Sequence, residues 1–153
     1  MKLAIKGGDP IIKSKQNLAF CSTDHADRDA VMDCFDRNSF SSFRAGDYEG
    51  GYYVQKFEEA VRSTFKQNYC VSVDTWSNGI IAALMSLGVE PGDEVIVAPY
   101  TMTSCASSIL ACGATPVFCD VDITTGAPCP LSVKEKITDR TKVIFVVHLF
   151  GIP

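Results

Sequence analysis

Apolar residues along this chain first recur at helical spacing and then collect into short runs. Between positions 52 and 66, Val54, Phe57, Val61 and Phe65 fall three and four apart. Gln55, Lys56, Glu58, Glu59, Arg62 and Lys66 cover the other side. This is the 3.6-residue period of an amphipathic helix, whose apolar stripe is expected to lie on a core. A shorter helix is expected over 24–37. Ser22-Thr23-Asp24 is a helix-start signal, and Ala26, Ala30, Val31 and Cys34 share one side. Residues 1–23 read as an extended arm, and the Ser- and Gly-rich stretch 38–51 reads as a loop.

From residue 69 the pattern alternates. Short strands are expected at 69–73, 94–98, 115–119 and 142–147. Helices are expected at 77–87, 103–112 and near 131–137, with turns at 89–93 and Gly113. Strands alternating with helices through short connections predict one sheet, mostly parallel, with right-handed crossovers. The fold class expected is therefore α/β, a mainly parallel sheet flanked by helices. The helix at 77–87 is apolar nearly all round (Ile80, Ile81, Ala82, Ala83, Leu84, Met85), which predicts burial on most sides. Val143–Val147 is wholly apolar, as a strand in the middle of a sheet would be. Only six residues follow it, His148–Pro153, none long enough to cover its faces. The expectation is a piece of a larger domain.

Composition narrows the function classes. Of 153 residues, 46% are hydrophobic and 21% charged, an ordinary globular balance. A formal net charge of −4 argues against a nucleic-acid or anionic-membrane surface, so any bound anion must be held locally. The N-terminus Met1–Gly8 lacks a signal peptide's apolar core, and no apolar run reaches the roughly 20 residues of a membrane span. Cysteines at 21, 34, 70, 105, 112, 119 and 129 are odd in number and lie mostly in apolar runs. They read as buried hydrophobes in a reducing compartment, not a disulfide frame. The only histidines, His25 and His148, have no ligand-like neighbours, so no metal site is expected.

Two turns can carry chemistry. In open parallel sheets, ligands bind beyond the carboxyl ends of the strands. Asp74-Thr75-Trp76-Ser77-Asn78 lies there, and a helix starting at Ser77 would offer free amides and its positive dipole end to a phosphate. On local sequence alone, a plain N-cap role for Ser77, worth about 1 kcal/mol, is the better supported reading. The second turn is Pro99–Ser104, where Tyr100 and Met102 could cover a flat aromatic ligand or simply pack as loop side chains. His148 and Cys105, Cys112 and Cys119 read as structural. Neither Gly-x-Gly-x-x-Gly after the first strand nor Gly-x-x-x-x-Gly-Lys-Ser/Thr occurs, which excludes dinucleotide and P-loop signatures.

Several motifs stand in a set order: Phe57-Glu58-Glu59, Pro91-Gly92-Asp93-Glu94-Val95-Ile96-Val97, Gly113-Ala114-Thr115-Pro116-Val117-Phe118, Asp120-Val121-Asp122, Thr138-Asp139-Arg140-Thr141-Lys142-Val143-Ile144 and Val147-His148-Leu149-Phe150-Gly151. With the opening Leu3–Gly8, they make the chain resemble the DegT/DnrJ/EryC1/StrS aminotransferases. These pyridoxal-phosphate (PLP) enzymes aminate nucleotide-linked keto-sugars. The resemblance implies the N-terminal part of the large domain of a fold-type I PLP-dependent transferase. Residues 1–23 would be an arm and 24–153 an incomplete PLP-binding large domain.

Counting back from Pro91 sets Thr75-Trp76-Ser77 on the family's Ser-Gly-Thr phosphate turn. The cofactor-binding residues implied are Trp76 and Ser77 at the phosphate and Met102 against the pyridine ring. Trp76 replaces the usual Gly, which requires backbone angles open to any residue. Met102 replaces the usual aromatic residue, and a thioether still contacts a ring favourably. No catalytic residue is expected within this chain. The family's Schiff-base lysine and pyridine-nitrogen aspartate fall past Pro153, so the 153 residues alone are expected to be inactive. The resemblance further implies a nucleotide-linked keto-sugar and an amino donor such as glutamate as substrates, a homodimer, a cytoplasmic setting and a part in cell-surface polysaccharide biosynthesis. The alternatives are a sugar dehydratase of the same family and a non-catalytic interaction module.

Overall fold

The protein is described by a computed structural model, which covers residues 6–9, 23–38, 40 and 50–151. The arm expected over 1–23 and the loop over 38–51 lie largely outside the described residues. The chain divides into two compact units, Met1–Asn68 and Tyr69–Pro153.

In the first unit, α1 (His25–Asp36) starts where the sequence signals it. The Asp24 side chain accepts from the Ala26 and Asp27 amides, and the Asp27 side chain in turn accepts from the Asp24 amide. This reciprocal capping satisfies donors that the first helical turn leaves free. α2 (Tyr52–Phe65) ends at Lys66, which adopts a left-handed conformation. The Tyr53 hydroxyl donates to Asp33 at 3.0 Å, tying α2 to α1. The apolar stripe of α2 forms as expected, but none of its residues is buried, and Phe57 and Phe65 are exposed.

The second unit holds the sheet. Its elements are α3 (Trp76–Ser86), β1 (Glu94–Val97), α4 (Thr103–Ala111), β2 (Thr115–Phe118), α5 (Pro130–Lys136) and β3 (Thr141–Phe145). The strand order is β2-β1-β3, and both pairings are parallel. Alternation along β1 builds two cores. Val95 and Val97 pack with Ile80 and Leu84 of α3 and Cys105 and Ile109 of α4. Ile96 and Ala98 pack with Cys119, and Val133 of α5 closes that face. Strand geometry sends successive side chains to opposite faces, so a strand apolar at every position needs cover on both. The sheet is thus sandwiched between α3 and α4 on one side and α5 on the other.

Three expectations are corrected. Residues 69–73 form no strand: the sheet of the described residues consists of β1, β2 and β3, and Tyr69, Val71 and Val73 are exposed. A strand exists only through a neighbour that accepts its ladder bonds, which a run of β-formers cannot supply alone. The apolar strand at the chain's end, β3, lies at the edge of this sheet, and β1 holds the centre. Helix α3 buries one stripe, Ile80 and Leu84, while Met85 and Leu87 are exposed.

The connections are set by two glycines. Gly92, at φ +100°, turns Pro91-Gly92-Asp93, and the Asp93 carboxylate closes the turn on the Glu90 amide at 2.9 Å. Gly113, at φ +76°, follows α4 and lies against Pro91, where a Cβ would come within 2.9 Å of the proline ring. Two of the chain's motifs therefore meet for a steric reason.

Candidate functional site

Helix α3 begins one residue earlier than its sequence suggests. Thr75 is extended (φ −144°, ψ 154°), and its Oγ1 accepts from the Asn78 amide at 3.2 Å. The Thr75 carbonyl takes the Gly79 amide at 3.0 Å. Thr75, not Ser77, is therefore the N-cap, which removes the plain capping role from Ser77. The Asn78 side-chain amide donates to Asp74 at 2.8 Å and braces the turn.

Trp76 and Ser77 become the first two helical residues. Neither amide has a hydrogen-bond acceptor among the described residues, and the Ser77 hydroxyl has no partner there either. Free amides at the positive end of a helix dipole make a seat for an anion, and a free hydroxyl adds a donor. Trp76 has helical backbone angles and is absent from the residues with positive φ. The condition set by replacing a glycine there is met. Its indole, 62% exposed, lines an apolar groove of about 410 Å³ with Val73, Ile80, Val143 and Phe145.

The second turn leaves β1 and enters α4. Met102 is the N-cap of α4, with φ −67°, ψ 141° and no side-chain capping bond. It is 71% exposed and lines a cavity of about 180 Å³ with Val97, Ala98, Thr101 and Phe118 at the carboxyl end of the sheet. Tyr100, 55% exposed, has one side of its ring against the loop that follows β2. Its ring lies against Gly126, where a Cβ would come within 3.3 Å of two ring carbons, and it steadies the Asp122–Ala127 loop. In that loop, hydrogen bonds from Thr124 and Thr125 hold the Asp122 carboxyl below the usual range.

Between the two turns, α3 and α4 pack together. The buried Ser108 hydroxyl of α4 donates to the Ser77 carbonyl at 3.3 Å. The sequence placed Thr75 in this turn without its capping role, and did not single out Ser108. The capping role was legible from a hydroxyl-bearing residue three before Asn78; Ser108 had no signal, because its partner is 31 residues away. His148 is exposed beyond β3, and its carbonyl receives the Gly151 amide at 3.0 Å, a structural contact. The six described cysteines are all free thiols. Among the described residues, no helix is long and apolar enough to cross a membrane.

A third cluster lies at the opposite, amino edge of the sheet. Glu94, buried at the head of β1, accepts from the Thr138 hydroxyl at 2.6 Å and the Arg140 Nε at 2.9 Å. These bonds, Thr138 foremost, hold its carboxyl below the ordinary glutamate range. Its place away from the carboxyl edge assigns it to joining β1 and β3.

The profile of the DegT/DnrJ/EryC1/StrS aminotransferase family matches residues 35–153. GDP-perosamine synthase of Escherichia coli O157:H7 is 38% identical over 130 residues, covering 83% of this chain and 33% of that protein. Among solved structures, the aminotransferase from Psychrobacter cryohalolentis superposes with a TM-score of 0.77 at 34% identity, covering 87% of this chain and 32% of the other. NtdA from Bacillus subtilis, solved with bound cofactor PMP (pyridoxamine 5′-phosphate), gives a TM-score of 0.73 at 27% identity, covering 81% of this chain and 27% of the other. The chain spans about a third of the length of the curated relatives it matches first.

Proposed function

This chain belongs to the DegT/DnrJ/EryC1/StrS aminotransferase family, whose cofactor is pyridoxal 5′-phosphate, and we propose that it forms the phosphate-binding part of an enzyme that moves an amino group from glutamate to a nucleotide-linked keto-sugar. The observation that carries the reading is the first turn of α3. Two amides without acceptors among the described residues and a free hydroxyl lie together in the turn that the family resemblance assigns to the phosphate.

The residues present fit the phosphate end of the cofactor. The amides of Trp76 and Ser77 and the Ser77 hydroxyl would hold the dianion, and Met102 would contact the ring. When bound, the cofactor supplies the electron sink that lets an amino group leave one carbon for another. This chain's residues do the holding. The helix dipole and amides fix the phosphate, and Thr75 and Asp74 keep the turn in shape so that little reorganisation accompanies binding. Residues 24–153 are proposed to be part of the cofactor-binding large domain, with 1–23 as its arm.

None of the chain's lysines in the second unit is at this turn. Lys134 and Lys136 lie exposed on α5, and Lys142 lies beside Gly88 at the start of β3. We accordingly propose that the 153 residues bind cofactor without transaminating. A nucleotide-sugar substrate is supported by the name of the GDP-perosamine synthase relative, and a homodimer and a reducing, cytoplasmic setting accompany the reading.

The test has two arms. Pyridoxamine 5′-phosphate is titrated into the chain and into Ser77→Ala. A loss of roughly 1–2 kcal/mol in affinity is expected, from one hydrogen bond to a charged group; equal affinities would remove Ser77 from the site. The full-length enzyme carrying this sequence is then given glutamate with a GDP-linked keto-sugar or with the same sugar bearing only a phosphate. Amino-sugar formation with the first and not the second supports the nucleotide requirement, and the reverse overturns it.

A further inference from the structure

Serine hydroxyls in helices usually turn back onto their own backbone. Three here do so: Ser63 donates to the Ala60 carbonyl at 3.0 Å, Ser86 to Ala83 at 2.7 Å and Ser107 to Ser104 at 3.3 Å. Ser108 does not. Only 2% exposed, it sends its hydroxyl out of α4 to the Ser77 carbonyl of α3. The residue gripped is the one whose amide and hydroxyl stand free at the anion seat. The helix that grips it is the one that Met102 caps.

We propose that Ser108 is a positioning residue for the cofactor phosphate, locking the first turn of α3 to α4 so that the amides of Trp76 and Ser77 keep one direction. The proposal rests on the phosphate-turn reading above. Ser108 touches the ligand nowhere; it acts through the peptide plane that joins Ser77 to Asn78. Helix ends fray because their terminal groups lack intrahelical partners. The Thr75 cap restrains the Asn78 amide, and Ser108 restrains the carbonyl one residue earlier. Both bonds close on the single peptide group that joins Ser77 to Asn78, one at each end, so that group and the Ser77 Cα before it have little freedom to rotate. Without Ser108, the turn would have to be ordered at the moment of binding, which weakens the seat without altering its chemistry.

The chain contains a single tryptophan, Trp76, at the seat itself, so its fluorescence reports binding there. Pyridoxamine 5′-phosphate is the probe, because its amine cannot condense with surface lysines as an aldehyde would. Pyridoxamine, lacking the phosphate, is the control. Quenching of Trp76 is measured for the native chain, Ser77→Ala and Ser108→Ala. The Ser108→Ala chain should bind pyridoxamine 5′-phosphate roughly three- to tenfold more weakly while its pyridoxamine affinity stays unchanged, so that the preference for the phosphorylated ligand falls. A merely structural serine would lower the melting temperature and leave that preference alone. Ser108→Cys, close in size and a weaker donor, should fall between, and it decides the question should Ser108→Ala fail to fold. If Ser77→Ala loses the preference and both Ser108 variants retain it, the positioning role is overturned while the phosphate turn stands. If the native chain shows no preference for the phosphorylated ligand, both readings fall together.

Discussion

Ile96 and Ile144 are register partners in adjoining parallel strands, β1 and β3. The residue is the same, the strand type is the same and their flanking residues are similarly apolar, yet Ile96 is 0% exposed and Ile144 45%. The difference lies in what surrounds each strand. β1 has a hydrogen-bonded neighbour on both edges and helices on both faces. β3 has one neighbour in this sheet, β1. An apolar strand sequence states a demand for burial on two faces; whether the demand is met depends on elements elsewhere in the chain. The candidate site stands on the satisfied side of this contrast, since α3 and α4 are both anchored on β1.

The contrast can be broken most sharply by a paired truncation. Ile96→Ala should cost about 2–5 kcal/mol, the transfer energy plus a cavity that close-packed neighbours cannot fill. Ile144→Ala should cost about 1 kcal/mol or less, because water already reaches that side chain. Denaturant titration of the two variants measures the gap, and equal losses would show that β3 is buried in solution. Next in size is Gly113→Ala, expected to cost about 1–3 kcal/mol. Alanine at φ +76° is strained, and its methyl would press on the Pro91 ring. A loss below that range, read by the same titration, would mean that the turn before β1 yields easily.

Glu94 sharpens the comparison from the amino edge, where β1 and β3 are joined. Glu94→Gln removes the charge that Thr138 and Arg140 surround and should lower the thermal midpoint by roughly 2–4 °C near neutral pH. The pH dependence has a definite sign. The folded carboxyl titrates below the ordinary value of about 4.3, so the unfolded chain takes up its proton first. The stabilisation is complete above the unfolded value and is lost as pH falls through the lower, folded one. The gap between native chain and Glu94→Gln should therefore shrink as melts are carried from pH 6 to pH 3. A constant gap would assign the effect to packing instead of charge.

Sequence periodicity recovered what depends on local spacing. α1, α4 and the three strands of the sheet fall where they were expected, since turn chemistry and short apolar runs mark them directly. The strand expected at 69–73 failed because pairing is a property of two segments, and its residues supply only one. The site was legible as a turn and not as a mechanism. The stretch Asp74–Asn78 stands out as a strand-to-helix turn, but the sequence offers Ser77 as its cap, whereas the extended backbone and the hydroxyl of Thr75 make Thr75 the cap. Ser108 was invisible, since a contact across 31 residues has no period. One of the motifs that carry the family resemblance, Pro91–Val97, serves the scaffold: Pro91 meets Gly113, Asp93 closes the turn, and Glu94 binds Thr138 and Arg140.

The smallest expected effect belongs to Trp76, which touches both halves of the comparison. Its backbone starts α3, on the well-covered face of β1, while its indole lies along the groove beside Val143 and Phe145 of β3. Replacing it with glycine, the residue the family usually has, removes the indole and adds backbone freedom at the first helical position. Both costs are small. The side chain is 62% exposed, so little apolar area returns to water. A glycine costs roughly 1 kcal/mol in a helix interior and less at the first position, where the amide has no intrahelical partner in any case. Trp76→Gly should therefore change stability by no more than about 1 kcal/mol. It should also leave phosphate-dependent binding of pyridoxamine 5′-phosphate, followed by calorimetry now that the fluorophore is gone, within about threefold of the native chain, because the donor at position 76 is the backbone amide. A loss well beyond these bounds would mean that the indole holds the turn in place, and that the groove beside β3 is part of the site's support.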